Sequence, residues 1–185
     1  MSDKNKALYF VALVPPEPIR SEIHDLKEEV HERYQSKAAL KSPPHITLHM
    51  PFKFREDREK KIFECLTNST QSEKPFDISH KGFGCFEPRV IFVNVDLTKD
   101  LSEFQTALVR KMRRDLNLDN SDYKNRGFHP HMTVAFRDLK KPKFYEAWSD
   151  FETRAIETKW ECESVILLKH NGKFWDIYRQ FQFSE

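Results

Sequence analysis

Two spacings of apolar residues alternate along the chain. Residues 7–14 (ALYFVALV) form an unbroken apolar run, rich in β-formers and closed by Pro15 and Pro16, which predicts a buried central strand. Between Pro18 and Gln35, Ile19, Ile23, Leu26 and Val30 recur at helical spacing among charges, predicting an amphipathic helix packed on a sheet. From His45 to Met50 the period drops to two. Ile46, Leu48 and Met50 fall on one face, and His45, Thr47 and His49 on the other. One face is core and the other carries polar chemistry.

The same alternation continues downstream. Residues 56–70 read as a helix with Ile62, Phe63 and Leu66 as its stripe. Two β-like runs, 75–83 and 89–95, are separated by GCFEP and predict a hairpin. A second amphipathic helix covers 99–115, with Leu101, Phe104, Leu108 and Met112 in register. The polar loop LDNSDYKNRG then leads to a second alternating strand, with Met132, Val134 and Phe136 on one face and His129, His131 and Thr133 on the other. A short helix at 142–153, a strand at 160–169 and the aromatic strand KFWDIYRQFQF at 173–183 complete the pattern. No low-complexity tract or flexible linker interrupts it. The expectation is one domain over 1–185.

The two alternating strands carry related tetrapeptides, HITL from His45 and HMTV from His131, 86 positions apart and each preceded by a proline, Pro44 or Pro130. Matching motifs on matching elements predict an internal duplication: two intertwined lobes, each with one His-x-Thr-x motif. The pleat sets each His and its Thr on one face, about 7 Å apart. Two such pairs around one cleft suit in-line displacement at phosphorus. One imidazole takes a proton from the attacking oxygen and the other gives one to the leaving oxygen, while the threonine hydroxyls donate to phosphate oxygens. This scheme uses no metal and no cofactor.

Composition sets the outer bounds. In 185 residues, 16 Phe, 5 Tyr and 3 Trp supply enough bulky apolar area for a real core. Lys and Arg total 31 against 29 Asp and Glu, so a net charge of +2 leaves nucleic-acid binding to local clustering. Cys65, Cys85 and Cys162 are widely spaced and form no CxxC pair, arguing against a disulfide framework or a cysteine zinc site. The N-terminus lacks a secretory pattern, and no segment approaches the roughly 20 apolar residues of a membrane span. A cytoplasmic monomer with no membrane attachment is expected.

The motifs PPHITL and HPHMTV resemble those of the 2H phosphoesterase superfamily, the LigT-like group of 2′-5′ RNA ligase-like proteins and RNA 2′,3′-cyclic phosphodiesterases. The likeness extends to the opening YFVALVPP and to GFGCFEPRVIFVNV in mid-chain; after the first motif this chain continues HMPFKF, where many members run on to an aromatic. It implies an α+β, bilobal, pseudo-twofold fold in which two antiparallel sheets line a central groove with helices outside. It also implies a metal-independent reaction on phosphodiesters involving a ribose 2′-oxygen, with RNA ends or nucleotide cyclic phosphates as substrates. Carried over by position, His45 and His131 are the catalytic pair and Thr47 and Thr133 the phosphate-binding pair. The residues themselves leave open which His is base and which acid. They leave open as well hydrolysis against 2′-5′ ligation, and catalysis against binding of RNA ends.

Further candidates flank the motifs. His49 and His129 extend them and, with His45 and His131, could be drawn as a four-histidine zinc site, although the threonines would then have no role. Lining of the groove is the simpler reading. Lys53, Arg89 and Arg137 stand beside the predicted strands and could hold a phosphate or simply be solvated. Phe83, Phe86 and Phe128 could stack on a base or belong to the core. Lys111, Arg113 and Arg114 suit a helix C-terminus better than an RNA patch.

Overall fold

The structure is a computed structural model describing residues 5–120 and 127–184; the middle of the polar loop, 121–126, lies outside them. The described elements follow in the order β1 (Lys6–Leu13), α1 (Ile19–Tyr34), β2 (Ile46–Arg55), α2 (Glu59–Thr70), β3 (Phe76–Phe86), β4 (Val90–Val95), α3 (Lys99–Leu116), β5 (His131–Ala135), α4 (Lys141–Phe151), β6 (Glu157–Cys162), β7 (Ser164–His170) and β8 (Trp175–Gln182). The fold is α+β, with every strand pairing antiparallel.

The strands line up as β6-β3-β4-β5-β2-β1-β7-β8. At the centre, β2 and β5 meet through a single register pair, Ile46 with Met132. The two antiparallel sheets expected from sequence are therefore the four-stranded halves of one sheet joined at a narrow seam. The continuous pattern at 160–169 hides two strands, because β6 pairs with β3 in one half while β7 pairs with β1 and β8 in the other. Glu163 alone links them. One residue advances a strand by only about 3.3 Å, so the sheet has to curl until the end of β6 meets the start of β7. The Glu163 carbonyl accepts a 2.8 Å bond from the Phe183 N–H at this corner.

The helices cross between the halves. α1 follows β1 but packs on β5 and α4, whereas α3 follows β4 but packs on β2, β3 and α2. Their buried stripes are Ile19, Ile23, Lys27, Val30 and Tyr34 in α1, and Leu101, Phe104, Gln105, Leu108 and Met112 in α3. Thr98 caps α3, its hydroxyl accepting the Leu101 N–H at 3.2 Å. The main core fills the space between helices and sheet, with Tyr9, Val11 and Leu13 from β1 and Met132 and Val134 from β5. Opposite, Phe10, Ala12, Ile166 and Leu168 form a smaller cluster against Val14 and Trp175. β1 is thus buried on both faces, as its unbroken apolar run predicts.

The hairpin turn lies later than expected. β3 runs on through Gly84 and Cys85 to Phe86, and the chain reverses at Glu87-Pro88-Arg89. Gly84 faces Phe92 across the ladder, and a β-carbon there would lie 2.5 Å from both the Phe92 ring and Asn94 Oδ1. Only glycine leaves that room. Among the described residues no helix is long and apolar enough to cross a membrane.

Candidate active site

The seam of the sheet is also the centre of both motifs. Ile46 and Met132 are the middle residues of His45-Ile46-Thr47 and His131-Met132-Thr133, and their pairing sets His45 opposite Thr133 and Thr47 opposite His131. All four polar side chains are half-buried on the face away from the helices, while Ile46 and Met132 are in the core. The imidazoles occupy one diagonal, about 7–8 Å between β-carbons, and the threonines the other.

Immediately after each threonine the strand bulges. β1 advances one residue from Val11 to Ala12 while β2 spans His49 to Thr47, and β4 advances one from Ile91 to Phe92 while β5 spans Ala135 to Thr133. Each bulge turns two successive side chains inward, Leu48 with His49 and Val134 with Ala135. In β2 the displaced backbone is satisfied from the other half. Gln105 of α3 and Asn120 donate to the Leu48 carbonyl at 3.1 and 3.4 Å, and Asn120 accepts from the Met50 N–H at 3.0 Å. The polar face predicted for His45, Thr47 and His49 therefore ends at Thr47. A simple period of two carries no warning of the extra residue.

The two imidazoles are held alike. His45 Nδ1 lies 2.7 Å from the Pro43 carbonyl and His131 Nδ1 2.7 Å from the His129 carbonyl, two residues earlier in each case. A carbonyl only accepts, so each Nδ1 carries its hydrogen and donates it, and each Nε2 is left for chemistry. Each ring also rests on a phenylalanine, with centroids 4.8 Å apart: Phe10 for His45 and Phe92 for His131.

Burial disfavours the charged imidazolium at both positions. His45 is pushed down from 6.5 to about 3, first by burial, then by the charge of Lys27, with His131 adding to it. His131 is lowered by burial, against the opposing hydrogen bond to the His129 carbonyl, with the charge of His129 adding a smaller push down. Both imidazoles are therefore neutral at neutral pH. An anion placed between them would favour protonation of one, since an opposite charge stabilises the imidazolium.

The remaining candidates divide by position. His129 is exposed beside the site, 5.9 Å from the His131 ring and edge-on to Phe86 and Phe92. Arg89 is exposed in the turn after Phe86, whose ring lies 5.4 Å from that of His131. His49 is 1% exposed and packs edge-on against Phe52, its Nδ1 bonded to the Met50 carbonyl at 2.9 Å. It cannot join the other three histidines, and among the described residues no three His, Cys, Asp or Glu side chains are grouped to hold a metal. Lys53 stands six residues beyond Thr47, roughly 20 Å along the strand. Arg137 lies two residues past the end of β5, its guanidinium over the Phe136 ring at 4.7 Å. Phe83 and Phe128 pack against the main core, and Phe83 meets Phe151 edge-on at 5.0 Å.

Three contributors escape the motif pattern. Phe10 and Phe92 lie within apolar runs that read as core, so nothing local marks them as ring supports. Lys27 does leave a signal, a cation on the apolar stripe of α1. Two imidazole nitrogens diagonal to each other and able to take or give a proton, with two hydroxyls between them, can bind a phosphate and move protons on and off oxygens on opposite sides of phosphorus.

A model of the 2′-5′ RNA ligase superfamily matches residues 15–174. The chain is 30% identical to a Bacillus licheniformis protein named "Putative phosphoesterase" over 177 residues, covering 94% of this chain and 96% of that one. Among solved structures it is similar to Escherichia coli LigT complexed with 3′-AMP, with a TM-score of 0.68 at 18% identity over 97% of this chain and 99% of that one. TT0787 of Thermus thermophilus gives a TM-score of 0.67 at 18% identity over 95% and 97%.

Proposed function

The chain belongs to the 2′-5′ RNA ligase superfamily and is an enzyme of the 2H phosphoesterase type; on that premise we propose that it hydrolyses 2′,3′-cyclic phosphates of RNA ends or nucleotides to 2′-phosphates. Thr47 and Thr133 donate their hydroxyls to the two non-bridging oxygens. One imidazole accepts a proton from water as its oxygen attacks phosphorus. The other, protonated, gives its proton to the ribose 3′ oxygen as the P–O3′ bond breaks. Every proton passes through a protein group, and the scheme calls on no metal.

The observation that supports this reading most directly is the matched setting of the two imidazoles, each tied through Nδ1 to a carbonyl at 2.7 Å with Nε2 left over. A structural histidine has no need of such a counterpart across a pseudo-twofold seam. The test is turnover of nucleoside and oligonucleotide 2′,3′-cyclic phosphates in excess EDTA, with His45→Ala and His131→Ala alongside and the product isomer identified. A 2′-phosphate product that disappears in both variants is the expected result. Turnover confined to 2′-5′-linked dinucleotides would move the assignment to the 2′-5′ phosphodiesterase or ligase reaction of the same four residues. Tight binding of cyclic-phosphate RNA ends with no turnover between pH 5 and 9 would sink catalysis altogether.

A further inference from the structure

Lys27, the sole lysine of α1, is turned into the protein and is 1% exposed. Among the described residues no carboxylate pairs with it. Its amine instead donates to two backbone carbonyls, Ser42 at 3.0 Å and Ala39 at 3.2 Å. Both belong to the short turn leading into Pro43, Pro44 and His45. The next carbonyl along, that of Pro43, receives the Nδ1 hydrogen of His45. A short bonded path thus runs from the helix to the imidazole: the Lys27 amine, the Ser42 carbonyl, the adjoining Pro43 carbonyl, the His45 ring.

We propose that Lys27 is a positioning residue for the His45 side of the groove, its sealed amine pinning the Ala39–Ser42 turn and so fixing the direction in which His45 presents Nε2. Burying an amine without a counter-ion is costly, and an apolar side chain on this stripe would fill the space without that cost. What the apolar residue lacks is a donor for the two carbonyls. The buried charge also acts on His45. The charges that bear on His45 are Lys27 from α1 and His131 from β5, both opposing its protonation. On Lys27 itself burial is the acting cause, bringing it down to about 7. Below that pH its charge is present and works against an imidazolium at His45. The second half shows no such device on α3, where the buried polar residue, Gln105, bonds the β2 bulge instead.

The kinetic part of this proposal rests on the phosphodiesterase reading, but its first readout does not. The His45 ring resonances of the wild type, Lys27→Met and Lys27→Gln are followed by NMR against pH, with melting temperature as a check on folding. In both variants the His45 midpoint should move up by about 1 pH unit, because a like charge has been removed. An unmoved midpoint in a folded Lys27→Met protein would overturn the electrostatic half. With a cyclic phosphate substrate, Lys27→Met should lower kcat about tenfold with KM nearly unchanged, while Lys27→Gln, which can still donate to a carbonyl, recovers most of the loss. Equal kcat in wild type and Lys27→Met, or equal loss in both variants, would overturn the positioning half. A wild type inert on every substrate leaves the NMR result standing, so the failure of the two readings can be told apart.

Discussion

The first and second halves of the groove are near copies at the reacting atoms and differ just outside them. Both place a histidine and a threonine on one strand face, tie the imidazole to a carbonyl at 2.7 Å, rest it on a phenylalanine at 4.8 Å and bulge the strand directly after the threonine. Beyond that the copies part. Behind His45 lies a buried cation, and the bulge holds a buried histidine, His49. Beside His131 lie exposed His129 and Phe86, and the same bulge position is Ala135. The shared parts are those a phosphate needs on two sides. The unshared parts decide how easily each imidazole charges and what the groove wall offers to the rest of the substrate.

The most severe way to break the symmetry is to remove one imidazole. His45→Ala and His131→Ala are each expected to lower kcat/KM by about 10²- to 10⁴-fold, the range for a positioned acid or base, as measured on a cyclic nucleotide. A variant that kept more than a tenth of the activity would leave its half without a catalytic role. Replacing the hydroxyls by methyl groups, Thr47→Val and Thr133→Val, should cost roughly 10- to 100-fold each, the worth of one hydrogen bond to a charged group. Strongly unequal losses would show that the phosphate sits off the twofold.

Gly84→Ala strikes the second half alone. Its methyl would collide with Phe92, which packs on His131, so overpacking of about 1–3 kcal/mol is expected in chemical denaturation, together with reduced turnover. Unchanged stability would mean that the Phe92 ring can swing clear. The smallest effect concerns the first half's own histidine. Burial holds His49 and His80, each 1% exposed, below the ordinary 6.5, so only the unfolded chain takes up their protons as pH falls through that value. Folding stability should therefore be full above about pH 6.5 and decline below it, read as melting temperature against pH. His49→Leu should flatten that decline while changing neutral-pH stability by no more than about 1 kcal/mol, since Ala135 fills the matching place without a histidine. A steeper decline would show that the backbone bonds of His49 to Met50 and Leu118, which favour its charged form, outweigh its burial.

The central strands, the four helices and the shared face of the four motif residues were legible because each depends on a local period or on a repeated tetrapeptide. His49 was misplaced because a bulge is one extra residue in a ladder, and its position is decided by the neighbouring strand and by Gln105 and Asn120, far away in sequence. β6 and β7 fused into one predicted strand because Glu163 passes between the halves with no glycine or proline to mark it. Lys53 and Arg137 follow the motifs closely in sequence, but six residues of extended strand set Lys53 roughly 20 Å along from Thr47, and Arg137 lies past the end of β5. The aromatic partners of the imidazoles were hidden among 16 phenylalanines with no feature to separate them.

The crossing of α1 and α3 bears on how such a molecule comes apart. A fragment ending before α3 would keep β1, β2 and β3 but lose the helix that covers β2, and one beginning at β4 would lose the helix that covers β5. Neither fragment could bury its own apolar face. Thermal or urea unfolding is expected as a single cooperative transition seen alike by tryptophan fluorescence and circular dichroism. However the repeat arose, its two copies now share one folding event, and a destabilising change in either is felt in full by the other.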